Sequence, residues 1–556
     1  MLNDIEIASA ATPRPISEIA EGLGLTPSEW RPFGSDVTKV ELSVLERPRR
    51  SSHPSRLVLV SAITSTPAGE GKTTTSIGLA QGLARLGEST CLALREPSLG
   101  PCMGMKGGAT GGGYSQVVPM ERINLHFTGD FHAVTAANNL LAALLDNHIY
   151  FGNDLRIDPR RILWRRVMDM NDRALRNCVL GLGGATQGVP REGGFDITAA
   201  SEVMAMLCLA EGVEDLRERL DRTLVAFTYA GEKVTADRIG ASGAMLALLR
   251  DALNPNLVQT LEGVPALIHG GPFANIAHGC SSVLATRLAL HLSDWAITEA
   301  GFGFDLGAEK FFDIKCRGAG LGTVAVVLVA SARALKMHGG IAKTDLSAPD
   351  AAAVRAGLPN LEKHIENIGH FGETPVVALN RFANDTDDEI AVVRQRCAEL
   401  GVHFAVSDHH ARGGHGALEL ARVVREHAEK ETTPFKPLYS LEESVEDKIH
   451  AVAQKMYGAR DVAYTRAAER DLKDVRRLGY GRLPVCIAKI PGSLSDDPKL
   501  HGRPEDFEVT VRRIQINAGA GFLVVLTGEI LRMPGLPRQP LATSIDLKGN
   551  EIVGLH

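Results

Sequence analysis

No two of the eight cysteines stand in a Cys-x-x-Cys pair. That spacing excludes the usual zinc ribbon and any recognisable disulfide framework, leaving reduced, mostly buried thiols as the reading. There is no basic excess: 60 Lys and Arg face 66 Asp and Glu, for a net charge of −6. A protein that grips nucleic acid without regard to sequence is usually basic, so no nucleic-acid partner is expected. No apolar run approaches a membrane span, and the longest, Thr323 to Ala330, has the length of a buried strand. The start, Met1-Leu2-Asn3-Asp4-Ile5-Glu6, lacks a basic segment followed by an apolar one, and a cytoplasmic location without membrane association is expected. There is no internal repeat and no low-complexity tract.

What is present is ordinary in bulk. Of 556 residues, 44% are hydrophobic and 23% charged, as in a globular chain long enough for two to four domains. The 57 glycines exceed the usual share and cluster in loops, as expected where backbone must approach a ligand closely. Apolar runs recur at 57–63, 90–94, 223–228, 265–269, 295–298, 323–330, 375–380 and 403–407, with helical stretches between them. Such alternation predicts an α/β fold: a mostly parallel, P-loop NTPase-like sheet flanked by helices, with smaller α/β parts attached. Helices are expected at 16–23, 133–147, 197–210 and 242–252. A softer stretch, 343–357, suggests a boundary. The expected division is residues 1–355 as a large domain, 356–530 as a smaller α/β domain, and 531–556 as a C-terminal segment.

Ligands on parallel sheets sit at the carboxyl ends of the strands, and several motifs fall there. Thr66-Pro67-Ala68-Gly69-Glu70-Gly71-Lys72-Thr73-Thr74 follows the first run and opens a helix. Backbone N–H groups and the helix dipole at such a loop attract phosphates, Lys72 reaches the outer phosphates, and the Thr73 hydroxyl suits magnesium. Thr66 occupies the position of the motif's first glycine. Arg95 lies just past the second run, where a guanidinium suits a carboxylate or phosphate; a surface ion pair with Glu96 is the plainer alternative. The glycine-rich stretch 106–113 reads as a loop closing over a ligand. Asp130 and His132 stand just before a helix; Asp130 or Thr128 serves equally well as its cap, and the sequence does not separate that from catalysis. Pro272 and Phe273 follow another strand and suit adenine and ribose, or simply a tight turn.

At these residues the chain resembles formate–tetrahydrofolate ligase of the monofunctional bacterial type. The resemblance is carried by the blocks 66–75, 95–101 and 111–120, by Phe127-Thr-Gly-Asp-Phe-His-Ala133, and by 169–175, 188–197, 270–279 and 334–340. It implies an enzyme of one-carbon metabolism that joins formate to tetrahydrofolate with ATP and Mg²⁺ through formyl phosphate. It further implies a homotetramer and activation by a monovalent cation. It gives Lys72 and Arg95 the phosphoryl and formyl phosphate charges. It places the pterin between an aromatic pair, one member of which is Phe382. The other, a tryptophan in the family, is His410 here. The segments 489–493 and 33–38 also depart from the family pattern. A nucleotide-binding regulatory protein without folate chemistry, and a ligase for another carboxylate or amine, are the competing readings.

Overall fold

The computed structural model describes all residues except 1–2, 68, 106–108, 430–434, 529, 550 and 556. Seven parallel strands form its centre, in the order Pro265–Ile268, Thr90–Leu94, Trp295–Glu299, Arg56–Ala62, Ala325–Ala330, Pro375–Asn380, His403–Ser407. Antiparallel strands extend the Pro265 edge: Asn256–Thr260, then Thr38–Val40 and Trp30–Pro32.

The apolar runs are continuous because both faces of this sheet are covered. Along the Arg56 strand, Val58 and Val60 pack with Ile77, Leu79 and Leu83 of the Lys72–Arg85 helix. Their neighbours Leu57 and Leu59 join the opposite core, with Ala285 and Leu288 of the Val283–Leu292 helix and Leu335 of the Ala332–His338 helix. All six residues of Ala325–Ala330 are buried. Each large side chain removed from water there contributes roughly 1.5–3 kcal/mol.

Three expectations meet a different structure. Leu224–Thr228 is a buried strand, but it belongs to a separate antiparallel sheet with Ile157–Ile162 and Lys233–Thr235. An apolar run records burial on both sides, not which sheet provides it. The soft stretch 343–357 carries the start of a 20-residue helix, Ala351–His370, capped by Asp350. The central sheet also continues past residue 355, through the strands at 375–380 and 403–407. Beyond these, Asp461–Tyr464, Val485–Ala488, Glu508–Asn517 and Phe522–Thr527 form a four-stranded sheet of their own. All eight cysteines are free, and all but Cys178 are buried. Among the described residues, no helix is long and apolar enough to cross a membrane.

Candidate active site

Four adjacent parallel strands, starting at Pro265, Thr90, Trp295 and Arg56, end at one cavity of about 610 Å³. The loop after Arg56–Ala62 turns into the Lys72–Arg85 helix through Gly71, whose φ of 82° only glycine adopts freely. The space at Gly71 is filled by Asn380, which donates from Nδ2 to the carbonyl of Glu70 at 3.0 Å. Gly69, Glu70, Gly71, Lys72, Thr73 and Thr74 all line the cavity. Glu70 is buried, accepts from the backbone N–H of Thr66 and stands 3.8 Å from the ammonium of Lys72. Ala68 lies outside the described residues, as does Lys106-Gly107-Gly108 of the glycine-rich stretch. Gly111 of that stretch reaches the cavity.

Arg95 enters from the next strand. Its Nη2 is 3.6 Å from Oε1 of Glu299, and its Nη1 donates to the Pro272 carbonyl at 3.5 Å. Its Nε has no hydrogen-bond partner among the described residues. Glu299, the last residue of the Trp295 strand, also accepts from Thr73 Oγ1 at 2.8 Å. Phe273 borders the cavity; Pro272 contributes its carbonyl behind it. Phe302, held at φ 59°, borders it too, and so do Leu531, Pro534 and Pro537 of the C-terminal segment. That segment is tied down where Arg176 Nε donates to the Met533 carbonyl at 2.9 Å and the Leu541 N–H to the Gly104 carbonyl at 2.7 Å.

Two cations, Lys72 and Arg95, therefore share the cavity with Glu70, Glu96 and Glu299. Burial, reinforced by the nearby Asp130 carboxylate, pushes Glu96 well above the usual carboxylate range.

Asp130 itself does not border the cavity. It is buried in an ion pair with Lys39, with oxygens 2.9 and 3.0 Å from the ammonium, and accepts from Asn256 Nδ2 at 2.7 Å. His132 is exposed on the Asp130–Tyr150 helix. Phe382 and His410 follow the adjacent strands ending at Asn380 and Ser407, outside the cavity. Arg333 lies over the Phe382 ring at 4.3 Å. His410 is exposed; its carbonyl accepts from the Tyr114 N–H at 2.9 Å, and its Nε2 is 3.9 Å from Asp4 Oδ1.

Sequence reasoning missed Lys39, Glu299 as a site residue, and His409. His409 is buried beneath the Lys72–Arg85 helix, with Nδ1 2.8 Å from Ser407 Oγ and Nε2 3.1 Å from Thr74 Oγ1. Only Glu299 left a trace in the sequence, as the polar end of an apolar run.

The family model described as formate–tetrahydrofolate ligase matches residues 2–556. Its match takes in the blocks around Lys72, Arg95 and Pro272, and the alternating strands and helices that present them. The chain belongs to the formate–tetrahydrofolate ligase family, whose members join formate to tetrahydrofolate at the expense of ATP in one-carbon metabolism.

Proposed function

We propose that this chain carries out the ligation through formyl phosphate, in the cavity shared by the 66–74 loop, Arg95 and Glu299. The observation that supports it most is the convergence of Lys72, Thr73 and Arg95 on one cavity at the ends of neighbouring strands.

Formate is a poor acylating agent because its carboxylate is anionic and stable. Attack of a formate oxygen on the γ-phosphorus, with departure of ADP, makes it a mixed anhydride. The 66–74 loop is read as a phosphate-binding loop whose N–H groups and Lys72 offset the charge on the phosphoryl oxygens. Arg95 then holds the acyl phosphate and the oxyanion that develops when folate N10 attacks the formyl carbon. Phosphate departs and N10 loses its proton. Asp130 acts indirectly, through the Lys39 pair and its field at Glu96; among the described residues His132 makes no hydrogen bond or ion pair by which it would act.

Among the described residues no cluster of three or more His, Cys, Asp or Glu forms a metal cage. The donor set suits magnesium brought by the nucleotide, which needs only one or two protein ligands. Thr73 would hold it, and it would neutralise phosphate charge. Pro272 and Phe273 stay the proposed flank for adenine and ribose, and Phe382 and His410 the proposed pterin side. The homotetramer and the monovalent-cation requirement rest on the family resemblance, and the cytoplasmic location is likewise a proposal. The division into a large domain, a folate-side domain and a C-terminal segment also remains a proposal, with the first two sharing the central sheet.

The test is steady-state formation of 10-formyltetrahydrofolate, read after acid conversion to the methenyl form. Product is expected only when ATP, formate and tetrahydrofolate are all present. Imidazole offers less stacking surface than indole, so His410→Trp should lower the folate KM several-fold at little change in kcat. Nucleotide binding without product from any combination would overturn the ligase reading.

A further inference from the structure

We propose that Glu299 is the positioning residue that ties the nucleotide's cation site to the guanidinium of Arg95, and that its charge sets the dependence of nucleotide binding on magnesium. This rests on the reading of the cavity given above. Glu299 has one oxygen on each partner: Oε2 accepts from Thr73 Oγ1 at 2.8 Å, and Oε1 stands 3.6 Å from Arg95 Nη2. The carboxylate is 1% exposed, so water does little to screen it.

A buried carboxylate is an odd neighbour for phosphates. Two like charges a few ångströms apart in a poorly screened site repel strongly. The other two acids of the cavity are already answered. Glu70 accepts the Thr66 N–H and faces Lys72, and burial favours the uncharged form of Glu96. Among the described residues, Glu299 has one hydroxyl donor and one long ion pair. Phosphates beside it would be tolerated with a divalent cation held at Thr73 to offset the charge. The same hydrogen bond fixes the Thr73 hydroxyl, with its proton on Glu299 and its lone pairs free for a cation. On the other side, Arg95 is held loosely: among the described residues its Nε has no partner, and Nη1 makes one long bond to Pro272. The guanidinium is thus aligned by Glu299 yet keeps donors for an incoming carboxylate or acyl phosphate.

The plainer reading is a strand-end ion pair that serves folding alone. Glu299→Gln separates the two. The amide oxygen still accepts from Thr73 and the volume is unchanged, but the charge is gone. Glu299→Asp keeps the charge, and thermal melting shows that both variants fold. The measurement is calorimetric binding of a non-hydrolysable ATP analogue, with and without Mg²⁺, to the full chain. Magnesium is expected to tighten binding to the wild type by about tenfold or more, and to Glu299→Gln by no more than about threefold. Without magnesium, the Gln variant should bind as well as the wild type or better. Glu299→Asp should recover most of the magnesium effect. The formate KM at saturating nucleotide should rise several-fold in Glu299→Gln, because Arg95 has lost its anchor.

An undiminished magnesium effect in Glu299→Gln would overturn the proposal while leaving the ligase reading intact. So would an equal loss of affinity with and without magnesium. A wild type that binds no nucleotide would overturn both.

Discussion

The interior carries several acids whose ionisation is governed by burial, and Glu202 shows the consequence most simply. It lies on the Glu202–Leu209 helix, away from the cavity, 7% exposed. Burial raises its pKa from 4.5 to about 7, against the opposing pull of the Ala520 and Gly519 N–H groups and of Arg532 and Arg222. The folded form therefore holds this proton more tightly than the unfolded chain does. The stability it contributes is complete below about 4.5 and is lost as pH rises through about 7, by at most about 3 kcal/mol. Both N–H groups bond to the same oxygen, Oε1, at 2.7 and 3.2 Å. Glu202→Gln retains that acceptor and removes the charge. The variant should lose less stability than the wild type between pH 5 and pH 8, measured by thermal melting across that range. Parallel pH profiles for the two proteins would contradict the assignment. Nothing in the sequence around Glu202 announces this behaviour, because its N–H partners lie 317 and 318 residues away.

Among the elements, the Lys72–Arg85 helix links the loop it opens to the sheet it covers. Gly78 is its point of closest approach: an added Cβ would overlap the Cβ and ring of His409. His409 is fixed between Ser407 and Thr74, and burial holds its imidazole neutral, with a pKa lowered to about 3. Alanine is the better helix former by up to about 1 kcal/mol. Overpacking against a pinned side chain costs about 1–3 kcal/mol. Gly78→Ala should therefore lower the melting temperature and weaken nucleotide binding, since the first turn of the helix must shift. An unchanged or raised melting temperature would show that His409 yields.

The sequence made this helix legible because its glycines, lysine and hydroxyls follow an apolar strand directly. The strands of the central sheet were legible for the same reason, as continuous apolar runs. Asn256–Thr260 was not, because three of its five buried residues are polar: Asn256, Gln259 and Thr260. Their groups are answered by partners distant in the chain, such as Asp130 and the Ile268 carbonyl for Asn256. Lys39 and Asp130, 91 residues apart, form their pair only once the sheet edge is assembled. Periodicity reports burial, and it does not report which polar group will be met there.

At the scale of the whole molecule, the cavity is assembled from the loop after residue 62, strand ends at 94 and 299, the turn at 271–275 and the segment 531–537. The C-terminal segment, given no role by the sequence, contributes the apolar side chains of Leu531, Pro534 and Pro537 to the wall. Such a site acts as a unit only if ATP and formate meet in it. Incubating the wild type with ¹⁸O-labelled formate, ATP and tetrahydrofolate, and weighing the phosphate released, tests this most directly. A formate oxygen that attacks the γ-phosphorus stays with it when the formyl group leaves for N10. One labelled oxygen in each phosphate, formed together with 10-formyltetrahydrofolate, is the predicted result. Unlabelled phosphate would mean that water, not formate, attacks the nucleotide, and would contradict the acyl phosphate route.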